Sequence, residues 1–280
     1  MFKAPWLFTV LCCAIVSASC NNGAQTAPRD KDGDTSVVSI KEEAVTYALD
    51  TVTLKGYITY DQNSEAVRPA VLVLPEWWGL NDYTRSRARQ LASLGYIAMA
   101  VDMYGQGKIA ADPTEAQALA TPFYMNPQLT RFYVDAALSK LKTYKQADTS
   151  NLAAIGYCFG GYVALNAAKL GAPLQGVVSF HGSLGGVAPA KDLLKARVLV
   201  CHGGADNFVP DAEVNAFKKS MDSVGADYTV KIYPNATHAF TNPDATRTAE
   251  KFKMPIQYNP AADSASWNDM KAFFQATFKR

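Results

Sequence analysis

Gly156-Tyr157-Cys158-Phe159-Gly160-Gly161 follows the apolar run Leu152-Ala153-Ala154-Ile155 and precedes Tyr162-Val163-Ala164-Leu165-Asn166-Ala167-Ala168. The preceding run has the continuous hydrophobicity of a buried strand, and the following one reads as a helix. A strand-to-helix turn this tight forces strained angles on its central residue and leaves no room for side chains around it. Glycines two before and two after Cys158 meet both demands. Such a turn exposes the sulfur and points a helix N-terminus at it, where the dipole favours a thiolate. Taken alone, the hexapeptide is equally compatible with a buried cysteine in a glycine-rich turn. The rest of the chain has to decide.

Working outward, apolar runs at 71–74, 97–101, 176–180, 198–201 and 228–232 suit parallel strands covered on both faces. Helical patterns at 83–94, 114–124, 127–144, 159–170 and 210–224 separate them, and a last amphipathic helix covers 262–278. Ahead of these, 44–48 and 52–60 read as an antiparallel pair. Alternating strands and helices imply right-handed crossovers. The expected fold is α/β: a doubly wound, mostly parallel β-sheet with helices on both faces. Ligands of such sheets bind at the carboxyl ends of the strands.

With 280 residues, 49% of them hydrophobic, the chain is long enough for one full-size core. A formal charge of +2 with no basic cluster gives no footing for nucleic acid. Residues 1–20 stand apart: Lys3 is a short positive start, 6–16 is apolar but too short to span a bilayer, and Ser17-Ala18-Ser19 lead to Cys20. This segment resembles a bacterial lipoprotein signal in which Cys20 is the lipid anchor, although Ser17 stands where Leu is usual. An ordinary secretory signal is the alternative. Residues 21–38 are polar and read as a flexible tether, leaving 39–280 as the folded domain. The expected location is therefore the bacterial cell envelope, in the periplasm or anchored to the membrane.

Of five cysteines, Cys12 and Cys13 leave with the signal, so only Cys158 and Cys201 belong to the folded part. Both fall on expected core strands, which argues against a disulfide framework. A free thiol in an oxidising envelope is a liability unless it is used.

The strand ends carry the chemistry. Pro75-Glu76-Trp77-Trp78-Gly79 follows the first parallel strand and Asp102-Met103-Tyr104-Gly105-Gln106-Gly107 the second. Cys158 follows the third, His181-Gly182-Ser183 the fourth, His202-Gly203-Gly204-Ala205-Asp206 the fifth, and Asn235-Ala236-Thr237-His238-Ala239-Phe240 the last. A nucleophile, an acid and a base thus run in the order Cys158, Asp206, His238. A thiol needs an imidazole to take its proton, and a carboxylate on the far ring nitrogen fixes the tautomer. An oxyanion needs two N–H donors, expected from the backbones of Phe159 and Trp77.

Among the chain's three histidines, His202 lies too close to Asp206 to partner it, and His238 sits late, before the terminal helix. His238 is therefore the expected base, with His181 and His202 packing or bonding loop backbone. Asp206 read as a helix cap is the competing assignment, but Asp211 already serves that helix.

From about residue 44 onward these motifs resemble the dienelactone hydrolase family of α/β-hydrolases. The resemblance implies a Cys158–Asp206–His238 triad and a Glu76 that contacts the resting thiol and gates it. Two arginines that hold the substrate carboxylate in that family have no counterpart here. Their neighbourhoods read Gly105-Gln106-Gly107-Lys108 and Asn242. Only Lys108 is cationic, and a lysine is a poor substitute for a bidentate guanidinium. Glu76, Tyr104 and Lys108 are the expected thiol-gating or substrate-contacting residues, and dienelactone itself is not the expected substrate. A solvated loop carboxylate is the other reading of Glu76.

Trp77, Trp78, Tyr104, Phe123, Tyr124 and Tyr157 crowd the expected mouth, some lining it and others packing beneath. The expected activity is hydrolysis of a small-molecule ester, lactone or thioester through an acyl-enzyme. A non-catalytic binding protein on the same fold, or a peptidase or acyltransferase using the same triad, are the alternatives. No metal-ligand spacing and no phosphate-binding loop is present, so no metal or cofactor is expected.

Overall fold

Even and odd positions of the central strands go to opposite sides of one sheet, and each side has its own core. The computed structural model describes Met1 and residues 38–278. Apart from Met1 and Val38, the expected signal at 1–20, the Cys20 anchor and the 21–38 tether lie outside the described residues. The strands are β1 (Ile40–Leu49), β2 (Val52–Asp61), β3 (Arg68–Leu74), β4 (Ile97–Ala100), β5 (Ala147–Tyr157), β6 (Gly176–Phe180), β7 (Arg197–Gly203) and β8 (Tyr228–Tyr233). The helices are α1 (Asp82–Ser93), α2 (Pro113–Met125), α3 (Gln128–Leu141), α4 (Phe159–Lys169), α5 (Asp211–Ser223), α6 (Ala245–Phe252) and α7 (Pro260–Thr277).

The sheet order is β1-β2-β4-β3-β5-β6-β7-β8. The β1–β2 and β2–β4 pairings are antiparallel, and the remaining pairings are parallel. The fold is thus the expected doubly wound α/β sheet. Ala70, Leu72, Leu74, Ala154 and Val177 face a core closed by α2, α3, α4 and α5. Val71, Val73, Ile155, Val178 and Leu199 face a second core closed by α1 and α7. Strands buried on both faces need no polar alternation, which is why their sequence reads as continuous apolar runs.

Helix starts are encoded locally. The side chains of Asn81, Asp112 and Asn259 accept backbone N–H bonds from Thr84, Glu115 and Ala262 at the starts of α1, α2 and α7. Helix α6 is an addition to the expected pattern. Its apolar residues Ala245, Ala249 and Phe252 fall at helical spacing, but eight residues are too short a window for that pattern to mark a helix in the sequence. Its end is held instead by Phe252 stacking on Trp78 at 5.7 Å. No helix among the described residues is long and apolar enough to cross a membrane.

Candidate active site

Cys158 joins β5 to α4 with φ 52° and ψ −116°. A non-glycine residue held there costs on the order of 1–3 kcal/mol, which the surroundings must offset. Its N–H is shared by Phe180 O at 2.9 Å and His181 Nδ1 at 3.1 Å. The flanking glycines are required by space alone. A Cβ on Gly156 would lie 2.0 Å from Gly160 O, and one on Gly160 would lie 2.3 Å from Leu74 O. The turn is tight because the start of α4 presses against the ends of β3 and β5.

His238 sits in the loop after β8, beside Ala239 at φ 58°. Its Nδ1 is 2.9 Å from Asp206 Oδ2. The other oxygen of Asp206 accepts from the N–H groups of Phe208 and Val209 at 2.9 and 3.2 Å. Those two bonds orient the carboxylate, so Asp206 serves its own loop and His238 together, while Pro210 stands at the start of α5. Burial works against a charged His238. The Cys158 charge, the hydrogen bonds to Asp206 and Cys158 and the Asp206 charge outweigh burial, pushing the imidazole up to about 10.

Glu76 follows β3 and is buried, which rules out the solvated-loop reading. Asn242 Nδ2 donates to its Oε2 at 2.7 Å. Burial raises the carboxyl to about 7, against the opposing pull of the Asn242 bond, His238 and Arg87. The buried carboxyl thus has a neutral partner where a charged one was expected to be missing.

No acceptor among the described residues takes the N–H of Trp77 or of Phe159. The loop carrying Trp77 is anchored from below: Tyr104 donates its hydroxyl to Trp77 O at 2.9 Å and stacks on Phe159 at 5.8 Å. Tyr104 is in turn set by Asp102, whose buried carboxylate accepts the N–H groups of Lys55, Tyr104, Gly105 and Gly107. Tyr104 therefore acts on the loop rather than lining the cavity.

A cavity of about 350 Å³ opens over Cys158, His238 and Glu76. Its walls are Trp77, Trp78, Tyr124, Phe208, Met254 and Ile256, with Gln117 and Ser183 as further polar groups. The expected aromatic mouth divides. Trp77, Trp78 and Tyr124 line the cavity, whereas Phe123 packs edge-on against Phe159 at 5.3 Å. Tyr157 faces the second core and stacks on Phe180 at 4.8 Å. Its position in β5 differs from that of Cys158 by one residue, and this sends its ring to the other side of the sheet.

Lys108 departs from expectation. It is half exposed, pairs with Glu115 at 3.0 Å and is not among the cavity-lining residues. The acidic first turn of α2 holds the ammonium away from the cavity. Phe208, Met254 and Ile256 escaped the sequence reading, which placed Ser183 at a strand end without a site role. They sit on loops whose contact with the strand ends depends on long-range pairing, such as the bridge between His238 and Ile256.

The family model for the dienelactone hydrolase family matches residues 54–278. The chain belongs to the dienelactone hydrolase family. A relative in Methylorubrum extorquens, provisionally named a carboxymethylenebutenolidase, is 31% identical over 184 residues, covering 61% of this chain and 63% of its own. A dienelactone hydrolase-like promiscuous phosphotriesterase from metagenomic libraries superposes with a TM-score of 0.80 at 33% identity, covering 86% of this chain and 99% of that one. A thermophilic esterase from Thermogutta terrifontis shares the fold at a TM-score of 0.56 and 17% identity, covering 82% of this chain and 90% of its own. This dienelactone hydrolase relative is accordingly a hydrolase of the α/β-hydrolase superfamily.

Proposed function

We propose that this family member hydrolyses an ester, lactone or thioester with Cys158 as nucleophile, His238 as base and acid, and Asp206 as its orienting carboxylate. One observation carries the reading: His238, paired at 2.9 Å with the buried Asp206, lines the same cavity as a thiol held at a strained strand–helix turn. His238 takes the thiol proton, and the thiolate attacks the carbonyl carbon. The carbonyl electrons move onto oxygen, which the N–H groups of Trp77 and Phe159 receive. Collapse expels the alcohol or thiol with the proton returned by His238, leaving an acyl-thioester. Water, deprotonated by His238, then attacks that acyl group and frees the acid and Cys158.

The apolar walls favour an acyl or alcohol portion that is apolar or aromatic. Asn242 beside Glu76 gives no bidentate cationic clamp for a carboxylate, so dienelactone is not the proposed substrate. An uncharged phosphotriester, the substrate class in the name of one relative, suits the same nucleophile and donors as a second substrate.

The test is hydrolysis of p-nitrophenyl acetate by the wild-type chain, Cys158→Ala and His238→Ala. The expected result is a loss of at least about 10³-fold in kcat in each variant. Unchanged turnover in both variants sinks the proposal.

A further inference from the structure

His181 has no part in the chemistry just described, yet it lies buried directly behind the nucleophile. It follows β6 at φ 43°, a left-handed region in which, glycine aside, asparagine, aspartate and histidine are the enriched residues. Its ring stands edge-on to His238 at 5.2 Å between centroids. The hydrogen bonds settle its protonation. Nδ1 accepts the Cys158 N–H, so the neutral ring carries its one proton on Nε2. Nε2 is 2.7 Å from Thr241 Oγ1 and therefore donates to it.

Thr241 is itself pinned at both ends. Its hydroxyl is 2.6 Å from Tyr83 Oη, and its carbonyl accepts from Arg87 Nη2 at 2.7 Å. Arg87 is held by Asp263 of α7. Burial, with His238 and Arg87 as neighbouring positive charges, holds the His181 imidazole well below its ordinary range. A continuous set of contacts thus runs from α7 through Arg87, Thr241 and His181 to the backbone of Cys158.

We propose that His181 is a positioning residue for the nucleophile: its imidazole, locked in the Nε2–H tautomer by Thr241, grips the Cys158 amide through Nδ1 and fixes the direction of the thiol. The proposal rests on the reading of Cys158 as the nucleophile. Phe180 O alone would locate the Cys158 N–H without fixing its rotation. A second acceptor on the same hydrogen holds the peptide plane, and with it the direction in which Sγ leaves the turn. The shared bond also keeps that N–H out of the cavity, leaving the oxyanion to Phe159 and Trp77. A thiol displaced by about 1 Å can lose on the order of 10²-fold in rate. A histidine that only filled space would be replaceable by any side chain of similar volume.

The test uses the full chain with p-nitrophenyl acetate as probe, comparing His181→Leu, His181→Asn, Thr241→Val and Cys158→Ala. His181→Leu removes the acceptor and is expected to lower kcat about 100-fold with KM within about twofold of wild type. His181→Asn offers an amide oxygen and tolerates the left-handed backbone, so it is expected to recover to within about tenfold of wild type. Thr241→Val releases the tautomer lock and is expected to fall between them. A His181→Leu kcat within threefold of wild type, or an asparagine variant no better than leucine, overturns the proposal.

If His181→Leu does not fold, 15N-cysteine labelling decides. The Cys158 amide resonance is expected to shift in Thr241→Val, and an unmoved resonance overturns the proposal. An active Cys158→Ala defeats the nucleophile reading itself, and the positioning role with it. An inactive Cys158→Ala beside a fully active His181→Leu defeats only the positioning role.

Discussion

His238 and Glu76 share one cavity, and burial disfavours the charge of both, but the outcomes differ. Around His238, Asp206 and Cys158 outweigh burial, and the imidazolium persists up to about pH 10. Its folded-state value stands above the free value near 6.5, so its proton is held throughout the neutral range. Alkylation of Cys158 by iodoacetamide at pH 7.5 is therefore expected to be slower in His238→Ala than in the wild-type chain. Equal rates in the two proteins would contradict the pairing.

Around Glu76, burial prevails over Asn242, and the folded carboxyl titrates at about 7 instead of 4.5. A carboxyl that binds its proton more tightly when folded contributes stability below about pH 4.5, and that contribution is lost as pH rises to about 7. At 1.36 kcal/mol per unit the loss is about 3 kcal/mol. Glu76→Gln mimics the protonated form while keeping an acceptor for Asn242. Urea unfolding is expected to show equal stability at pH 4.5 and a variant more stable by up to about 3 kcal/mol at pH 8. A difference independent of pH would refute the assignment.

At the scale of elements, the strand–helix turn depends on contact between the ends of β3 and β5 and the first turn of α4. Gly160→Ala would place a methyl 2.3 Å from Leu74 O, a backbone atom that has no flexible end to yield. The expected cost is at least about 3 kcal/mol together with loss of activity. Gly95→Ala provides the contrast. It meets nothing within 4 Å and suffers only from its φ of 89°. Its expected cost is about 1–2 kcal/mol with activity retained. Urea midpoints and p-nitrophenyl acetate turnover measure both; equal costs would mean that the turn relaxes around the added methyl. Helix α6 shows the limit of pattern reading at this scale. Its helical spacing of Ala245, Ala249 and Phe252 spans only eight residues, too few to stand out as a pattern, and a ring contact with Trp78 from a distant loop holds the end of the helix.

Across the whole molecule, α1, α7 and the active-site loops are tied together by one buried cation. Arg87 lies among the rings of Tyr83, Tyr157 and Trp267, pairs with Asp263 and donates to Thr241 O. Removing it leaves Asp263 partly buried without its countercharge, for an expected loss of about 3–5 kcal/mol. The solvent-facing Arg197–Asp227 pair, with side chains 38% and 64% exposed, is expected to contribute less than about 1 kcal/mol. Denaturant unfolding of Arg87→Ala and Arg197→Ala measures the difference. Comparable losses would show that α7 is not held through Arg87.

The chain's local patterns determined the doubly wound sheet, the glycine-framed turn at Cys158, and the order Cys158, Asp206, His238 at strand ends along the chain. Apolar runs and glycine spacing act within a few residues, and the order of the motifs along the chain is the sequence itself. The tertiary structure decided which groups meet. Asn242 reaches Glu76 across 166 positions, and His181 reaches Cys158 across 23. Lys108 goes to Glu115 instead of the cavity, and Tyr157 goes beneath the sheet while Tyr124 lines the mouth. A side chain's partners depend on strand register and on which loops converge. Those are set by packing of the whole core, and no local window of residues contains them.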